Sequence, residues 1–327
     1  MNNFHPPDWL KNRHIQSFLA SSGVRRPAIR RRARALLAAQ QPVVLDAGHD
    51  VRLHGLISRH ADAPNYERRG LVVLIHGWEG SAESTYLLSA SASLFTAGFD
   101  IFRLHLRDHG PSHELNREVF QAARLHEVTM AVKAACERYS TTGRNYLVGF
   151  SLGGNFVLRL AANAVDEGLA LCQAVAVSPV LLPVKTMARM ESGPAVYHKY
   201  FVNKWLKSLA KKSRAFPELL DIGKIGKMRS LAALTDYLVE HHTEFDNAEH
   251  YLNSYALTPE LLQRIHCHTH IIAAADDPVI PAEDFAGVPL TEFLDVRVLP
   301  YGGHCGFIDS VFSPGWVDKE LLRLFMQ

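Results

Sequence analysis

The chain of 327 residues has few cysteines, no long apolar run and almost no net charge. Its four cysteines lack the C-x-x-C spacing of zinc and redox sites, and they are too few for a disulfide framework in a chain of this length. No apolar run approaches the roughly 18 residues that a membrane-spanning helix needs. The formal net charge of +2 provides no overall field that would attract nucleic acid. These absences favour a globular protein of a reducing compartment that binds no nucleic acid.

The N-terminal segment also lacks a basic stretch followed by an apolar one, which is the pattern of a signal peptide. We therefore expect a soluble, cytoplasmic protein. Six arginines crowd between Arg25 and Arg34, and such local charge can favour an anionic membrane surface. We prefer the simpler interpretation, in which residues 1–42 form a solvated basic arm strapped across the core. Peripheral membrane contact through this arm is the alternative, and the oligomeric state is not predicted.

Short apolar runs alternate with helical patterns from residue 43 onward, and apolar residues make up 47% of the chain. The predicted strands are Val43–Asp46, Val51–Ile57, Leu71–Ile75, Ile101–Leu106, Tyr146–Phe150, Ala174–Val177, His270–Ala274 and Val296–Leu299. A strand that is apolar throughout, such as Leu71–Ile75, is typical of a parallel sheet covered on both faces. The alternation predicts βαβ units in a mostly parallel, eight-stranded sheet flanked by helices, which is an α/β fold.

Helical patterns fill most of the intervals between these strands. They cover Glu83–Ala97, Glu118–Tyr139, Gly153–Val165, Pro259–Ile265 and Trp316–Phe325. Residues 183–257 break the alternation, because they contain helical stretches at Tyr200–Lys212 and Leu231–His242 but no convincing strand. We interpret 183–257 as a helical cap inserted after the sixth strand. Residues 43–182 and 258–327 then form the core.

The strongest chemical motif is Gly149-Phe150-Ser151-Leu152-Gly153, which matches the G-x-S-x-G pattern of a nucleophile elbow. An apolar strand precedes the motif and a helical pattern follows it. A serine on a sharp turn between a strand and a helix projects its Oγ above the sheet. The flanking glycines leave room for that turn, because a Cβ there would collide with neighbouring backbone. Ser151 is therefore the candidate nucleophile.

A serine hydroxyl is a weak nucleophile and needs a base oriented by an acid. In folds with this elbow the acid and the histidine follow the serine in chain order. His304 lies after the last predicted strand, between glycines, and is the candidate base. Asp276 and Asp277 both follow the seventh strand, and the apolar-apolar-Pro pattern after Asp277 favours Asp277 as the acid. Asp276 remains the alternative.

An ester carbonyl that is attacked by serine develops negative charge on its oxygen and needs two N–H donors. Leu152, the residue after the nucleophile, is one candidate for a backbone donor. The other lies in His76-Gly77-Trp78-Glu79-Gly80, the turn after the third strand, where we predict the N–H of Trp78. The indole of Trp78 is also a candidate wall for the acyl pocket.

Two other polar segments are interpreted as structural. Arg107-Asp108-His109-Gly110-Pro111-Ser112 follows the fourth strand, and we expect it to form a loop at the edge of the site without a catalytic role. His266-Cys267-His268-Thr269-His270 resembles a metal-binding tract, but it lies where the seventh strand begins. Ligands of open α/β sheets bind at the opposite, carboxyl ends of the strands. We therefore predict no metal site there.

The chain resembles the YheT-like branch of the α/β-hydrolases. The resemblance rests on Gly149–Asn155, His76–Gly80, Arg107–Gly110, the segments Phe4–Leu10 and Asn12–Gln16, and Ala274–Pro278. It implies an α/β-hydrolase core, a carboxylesterase-like activity and no cofactor. It also places the triad at Ser151, Asp277 and His304, the same three residues that the pattern alone indicates.

These observations predict a serine hydrolase that cleaves carboxylic esters, most readily those with short to medium acyl chains. The substrate is a small-molecule or lipid ester. A lipase or phospholipase, or an acyltransferase that uses an alcohol in place of water, is the alternative within the same chemistry. A catalytically inactive protein of this fold that binds a ligand is the alternative outside enzymes.

Overall fold

The computed structural model describes residues 4–60 and 68–327, and its strands correspond to the eight predicted ones. Residues 1–3 of the predicted arm lie outside the described residues. The strands are β1 Gln40–Asp46, β2 Arg52–Ser58, β3 Leu71–Ile75, β4 Asp100–Leu104, β5 Asn145–Phe150, β6 Gln173–Val177, β7 His268–Ala274 and β8 Leu294–Leu299. The helices are α1 Arg13–Ser21, α2 Arg26–Arg32, α3 Arg34–Ala38, α4 Thr85–Thr96, α5 Leu125–Tyr139, α6 Leu152–Asn163, α7 Pro183–Ser192, α8 Ala195–Ala215, α9 Ile222–Ile225, α10 Leu231–His242, α11 Ala248–Asn253, α12 Pro259–Leu262 and α13 Trp316–Phe325.

The eight strands form one sheet in the order β1-β2-β4-β3-β5-β6-β7-β8. Strand β2 runs antiparallel to both of its neighbours, and all the other pairings are parallel. The prediction of a mostly parallel, eight-stranded sheet flanked by helices is therefore confirmed. Strand β5 lies near the middle of this sheet, so the turn that follows it is surrounded by the ends of other strands.

The sheet is covered on both faces, as the apolar run of β3 predicts. Leu71, Val73 and Ile75 belong to the core under α5 and α6. Val72 and Leu74 alternate to the opposite core, where α4 and α13 pack. All five side chains are fully buried, because successive residues of a strand point to opposite faces and both faces are covered.

The predicted helix Glu118–Tyr139 begins seven residues later than expected, at Leu125. Side chains from other parts of the chain form hydrogen bonds with the backbone groups that the first turns of the predicted helix would pair. The N–H of Phe120 donates to Asp108 Oδ2, and the N–H of Ala122 donates to Tyr251 Oη. Arg159 donates to the carbonyl of Ala122. The apolar spacing of this segment therefore reflects packing under the cap and not a helix.

The N-terminal segment packs more deeply than a solvated arm would. Phe4, Leu10, Ile29 and Leu36 are buried, and α2 and α3 pack on α4. Gln16 of α1 is fully buried, and its amide donates to the carbonyls of Leu10 and Ile308. The basic residues of the segment are spread around these buried positions.

Helices α7 to α11 lie between β6 and β7, and we call residues 183–257 the cap. The N–H of Leu257 donates to the carbonyl of Leu181 (2.9 Å), so the chain leaves and re-enters the core at one place. The division into an arm, a core and a cap stays a prediction, and this closed junction is compatible with it. No helix among residues 4–60 and 68–327 is both long and apolar enough to cross a bilayer.

Candidate active site

Ser151 lies in a sharp turn between β5 and α6, with φ of 54° and ψ of −119°. This left-handed backbone is costly for a residue with a side chain, and the surroundings must enforce it. The N–H of Ser151 donates to the carbonyl of Val177 on β6 (2.9 Å). A Cβ on Gly149 would lie 2.1 Å from the carbonyl oxygen of Gly153, and a Cβ on Gly153 would lie 2.2 Å from that of Ile75. Both glycines of the motif are therefore required by the packing of the turn.

The side chains of Ser151, His304 and Asp277 form one hydrogen-bonded chain. His304 Nε2 lies 3.0 Å from Ser151 Oγ, and His304 Nδ1 lies 2.9 Å from Asp277 Oδ2. The second carboxylate oxygen of Asp277 accepts the backbone N–H groups of Val279 and Ile280 at 2.7 and 2.9 Å. The structure thus brings together three residues that are separated by up to 153 positions in the sequence.

The imidazole of His304 is tuned by two opposing effects. Burial would lower its pKa, but the negative charge of Asp277 and the hydrogen bond to it outweigh burial, and the pKa lies well above its usual value. The carboxylate thus favours a proton on the imidazole. An imidazolium stabilised in this way suits a base that must take up the proton of a serine hydroxyl during the reaction.

The loop that carries His304 is fixed by two further side chains. Asp276 Oδ1 accepts the N–H of Gly303 (2.9 Å), so the alternative acid holds the backbone of the loop and does not contact the imidazole. Ser17 Oγ, from α1, accepts the N–H of His304 itself (2.8 Å). The N-terminal segment therefore contributes directly to the position of the imidazole.

The turn after β3 approaches Ser151 and has most of its N–H groups engaged. The N–H of Gly77 donates to Tyr86 Oη (2.9 Å), that of Glu79 to His109 Nε2 (3.0 Å), and that of Gly80 to the carbonyl of Gly77 (2.9 Å). Among the described residues, neither the N–H of Trp78 nor the N–H of Leu152 has an acceptor. Trp78 and Leu152 line one cavity together with Ser151, so the two predicted donors lie beside the serine.

Three buried histidines support this turn as neutral acceptors. His76 Nε2 accepts the N–H of Leu106, and His105 Nε2 accepts the N–H of Ala82. Because each Nε2 accepts, it carries no proton, and the neutral tautomer places the proton on Nδ1. Burial, reinforced by neighbouring imidazoles, lowers the pKa of His76 and that of His105 to about 3, and it holds the pKa of His109 well below its usual value. The segment from Arg107 to Ser112 thus acts through hydrogen bonds to the turn and does not contact the serine.

Two cavities meet at Ser151. The larger measures about 460 Å³, and His304 is part of its wall. The smaller measures about 90 Å³ and extends under the cap, where Met187, Met190 and Leu252 line it. Trp78 and Phe201 line both cavities, and their rings stack with centroids 5.6 Å apart. The indole of Trp78 therefore forms part of the wall of the site.

Helix α8 of the cap contacts the turn after β3 and the loop after β4 through one face. Lys204 Nζ donates to the carbonyl of Glu79 (3.0 Å), and one turn later Ser208 Oγ donates to the carbonyl of Asp108 (3.2 Å). After another turn, the buried ammonium of Lys212 lies 2.8 Å from Asp108 Oδ1. The cap is thereby connected to the residue after Trp78 and to the loop after β4.

The histidine tract 266–270 lies at the opposite end of the sheet from Ser151, because β7 begins within it. His270 Nδ1 lies 3.5 Å from Asp295 Oδ2, a carboxylate of the neighbouring strand. Within residues 4–60 and 68–327, no group of three or more His, Cys, Asp or Glu side chains has the geometry of a metal site.

Sequence reasoning missed Ser17, Tyr86 and Lys204 as residues of the site. Each acts through a hydrogen bond to the backbone of another segment, so no local motif surrounds it. The spacing of Lys204, Ser208 and Lys212 was the available signal, because residues four apart share one face of a helix.

Comparison by sequence matches residues 72–316 to the model of the alpha/beta hydrolase family. These residues include Trp78, Ser151, Leu152, Asp277 and His304. No curated protein matches the chain by sequence.

The fold resembles that of several solved structures at low identity. An esterase from Pyrococcus furiosus has a TM-score of 0.57 at 18% identity, covering 90% of this chain and 92% of the other. A bacterial membrane phospholipase A has a TM-score of 0.58 at 15% identity, covering 93% and 92%. Naproxen esterase from Bacillus subtilis has a TM-score of 0.55 at 13% identity, covering 92% and 96%. At such identities the likeness establishes the fold alone.

Proposed function

The chain belongs to the alpha/beta hydrolase family, and on that premise we propose that it cleaves carboxylic esters with Ser151 as the nucleophile. The observation that carries the proposal is the chain of hydrogen bonds from Ser151 Oγ through His304 to Asp277, at 3.0 and 2.9 Å. This arrangement supplies a nucleophile, its base and the orienting acid in the order that acyl transfer requires.

The reaction proceeds through an acyl-enzyme. Ser151 Oγ attacks the acyl carbon while its proton passes to His304 Nε2. The N–H groups of Trp78 and Leu152 stabilise the negative charge on the carbonyl oxygen, and the N-terminus of α6 adds its positive end. The bond to the leaving oxygen then breaks, and His304 protonates the departing alcohol. Water attacks the acyl carbon next and gives its proton to His304, and Ser151 regains that proton as the acid leaves.

The two cavities differ in which part of the ester they can accept. The leaving alcohol must face His304, because it receives its proton from Nε2. His304 lines the larger cavity of about 460 Å³, so we assign that cavity to the alcohol. The acyl chain then enters the smaller, mainly apolar cavity of about 90 Å³ under the cap. This assignment favours short to medium acyl chains joined to a bulky alcohol.

Transfer of the acyl group to an alcohol is the second candidate function, and the size of the larger cavity supports it. A cavity that holds the leaving alcohol also holds an accepting one, since the second step is the reverse of the first. Adding an alcohol to an ester hydrolysis assay and looking for a new ester tests this route directly.

Within the family, we place the chain in the YheT-like branch. Two residues of the segment that carries this resemblance are built into the fold: Asn12 Oδ1 caps α1 by accepting the N–H of His14 (2.9 Å), and Gln16 joins α1 to the segment after His304. The resemblance therefore rests partly on residues that hold the site together.

Labelling with a fluorophosphonate probe tests the proposed function. The purified wild type should be labelled, and Ser151→Ala should not. The same pair is then compared on a series of p-nitrophenyl esters of increasing acyl length. We expect a loss of kcat of roughly 10⁴- to 10⁶-fold in the variant and an optimum at short acyl chains in the wild type. Equal labelling of both proteins would remove Ser151 as the nucleophile, and no labelling of either protein would favour a ligand-binding role.

A further inference from the structure

Exposed apolar side chains surround the mouth of the larger cavity. Phe18 of α1 is 59% exposed, and Val196 and Tyr200 of α8 are 69% and 39% exposed, although all three also line the cavity. The two helices are joined at this mouth by a hydrogen bond between His14 Nδ1 and Tyr197 Oη (2.9 Å). An apolar rim that leads directly into a binding cavity is unusual for a surface that faces only water.

The two segments that contain α1 and α8 carry basic side chains and no acidic ones. Residues 9–45 contain eight Lys and Arg and no Asp or Glu, and residues 192–217 contain six and none. The rest of the chain holds the remaining 21 basic residues and all 33 acidic ones. The positive charge of a nearly neutral molecule is therefore concentrated on two segments that include the cavity-lining residues of α1 and α8.

Several of these basic residues are used inside the fold. Arg25 donates to the carbonyls of Val311 and Ser313, and Lys212 is paired with Asp108. Others are exposed beside residues that line the cavity. Arg13 adjoins His14, Lys199 adjoins Tyr200, and Arg26 lies four residues beyond Ser22. The internal pairs therefore leave a set of exposed cations next to the apolar rim.

We infer that this mouth surface, formed by Arg13, Phe18, Val196, Lys199 and Tyr200, docks on an anionic lipid bilayer. Cations near such a surface are attracted to its head groups, and apolar side chains between them can insert at the boundary of the acyl region. An acidic protein or a nucleic acid would satisfy the cations but would give no reason for the exposed apolar rim. A bilayer satisfies both.

Docking in this orientation would open the larger cavity towards the lipid. An ester dissolved in the bilayer could then reach Ser151 without crossing water, and this step rests on the proposed function. The docking itself does not depend on that function, so the two can fail separately.

Sedimentation of the full chain with vesicles tests the inference. Vesicles of phosphatidylcholine alone are compared with vesicles in which about a quarter of the lipid is phosphatidylglycerol, at about 0.05 M and about 0.5 M NaCl. We expect binding to the anionic vesicles that weakens with salt. Each cation near such a surface contributes about fivefold to partitioning, so Arg13→Glu with Lys199→Glu should reduce binding at least about twentyfold. The matched control is Arg138→Glu with Arg144→Glu, two exposed residues at the opposite end of the sheet.

The apolar rim has its own pair of variants. Phe18→Ser with Val196→Ser should reduce vesicle binding about tenfold at both salt concentrations. Leu290→Ser, a change at a site that is 84% exposed just before β8, should not alter vesicle binding.

The inference fails if the wild type does not bind anionic vesicles. It also fails if the control variants lose as much binding as the test variants, or if the rim variants bind like the wild type. Hydrolysis of a water-soluble ester by the charge variants, which lie outside the proposed catalytic and cavity residues, reports separately on the proposed function.

Discussion

The carboxylates of Asp276 and Asp277 are adjacent in the chain but have different partners. Asp277 contacts the imidazole of His304, and Asp276 accepts the N–H of Gly303. The first interaction acts on the imidazole itself, and the second acts on the backbone that holds it. The structure therefore separates two residues between which sequence reasoning could only state a preference.

Asparagine substitutions distinguish these two aspartates. Asp277→Asn keeps the size of the side chain but removes the charge that orients and stabilises the imidazolium, so kcat should fall by roughly 10⁴-fold. Asp276→Asn still offers an oxygen to Gly303, so kcat should fall by less than about tenfold. Steady-state kinetics on one soluble ester measures both variants. A larger loss in Asp276→Asn than in Asp277→Asn would reverse the assignment.

The pH dependence of hydrolysis reports on His304. The base must be neutral, so activity is lost as the pH falls through the pKa of the imidazole. Because Asp277 raises that pKa well above 6.5, the midpoint of kcat/KM should lie above pH 6.5. Asp277→Asn removes the negative charge that raises this pKa and leaves burial, which lowers it, so the midpoint should move to lower pH. Profiles between about pH 5 and 9 measure both, and a wild-type midpoint below 6.5 would contradict the argument.

At the scale of elements, helix α8 connects the cap to the turn that carries Trp78. Lys204 acts through the carbonyl of Glu79, and we regard it as a positioning residue. Lys204→Met keeps most of the side chain but loses the donor, so kcat should fall roughly tenfold with little change in KM. Lys204→Arg should restore much of the loss.

Lys207→Met is the matched control on the same helix, since Lys207 is exposed. Its kcat should equal that of the wild type. If Lys207→Met and Lys204→Met lose activity equally, or if Lys204→Met changes only KM, then the contact with Glu79 does not position the turn.

Sequence reasoning succeeded where the signal was local. The strands were predicted correctly because each is a short apolar run, and the turn at Ser151 could be predicted because its glycines and the flanking elements lie within a few residues. The order of the strands was the signal that grouped Asp277 and His304 with Ser151, and the catalytic roles of the three stay a prediction. The contacts of Ser17 with His304 and of Lys204 with Glu79 join segments 287 and 125 residues apart, so no local pattern could indicate them. The start of α5 was predicted too early for the same reason, because distant side chains take its backbone groups.

At the scale of the whole molecule, buried neutral histidines make the fold sensitive to acid. His76 and His105 have pKa values lowered to about 3, and the pKa of His109 is also far below normal. Below about pH 6.5 the unfolded chain binds protons at these positions and the folded chain does not. The free energy of unfolding should therefore fall as the pH drops from about 6.5 towards about 3, by about 1.4 kcal/mol per pH unit for each histidine.

Urea unfolding at a series of pH values measures this slope. His105→Gln retains an oxygen that can accept the N–H of Ala82 but cannot titrate. The slope of the free energy of unfolding against pH should therefore decrease by the contribution of one proton, about 1.4 kcal/mol per pH unit. His268→Gln, the same substitution at an exposed position, is the matched control. Equal slopes in the wild type and His105→Gln would show that His105 does not contribute to acid sensitivity.

The hydrogen bond between Leu257 and Leu181 has a consequence for how such a protein can diversify. The ends of the cap meet just beyond the end of β6, so an insertion of another length or sequence can replace it without changing the spacing of β6 and β7. The entropic cost of a longer insertion grows only slowly with its length. Descendants of one ancestor can therefore exchange the cap, which lines the smaller cavity, while they keep the strands that hold Ser151, Asp277 and His304 in place.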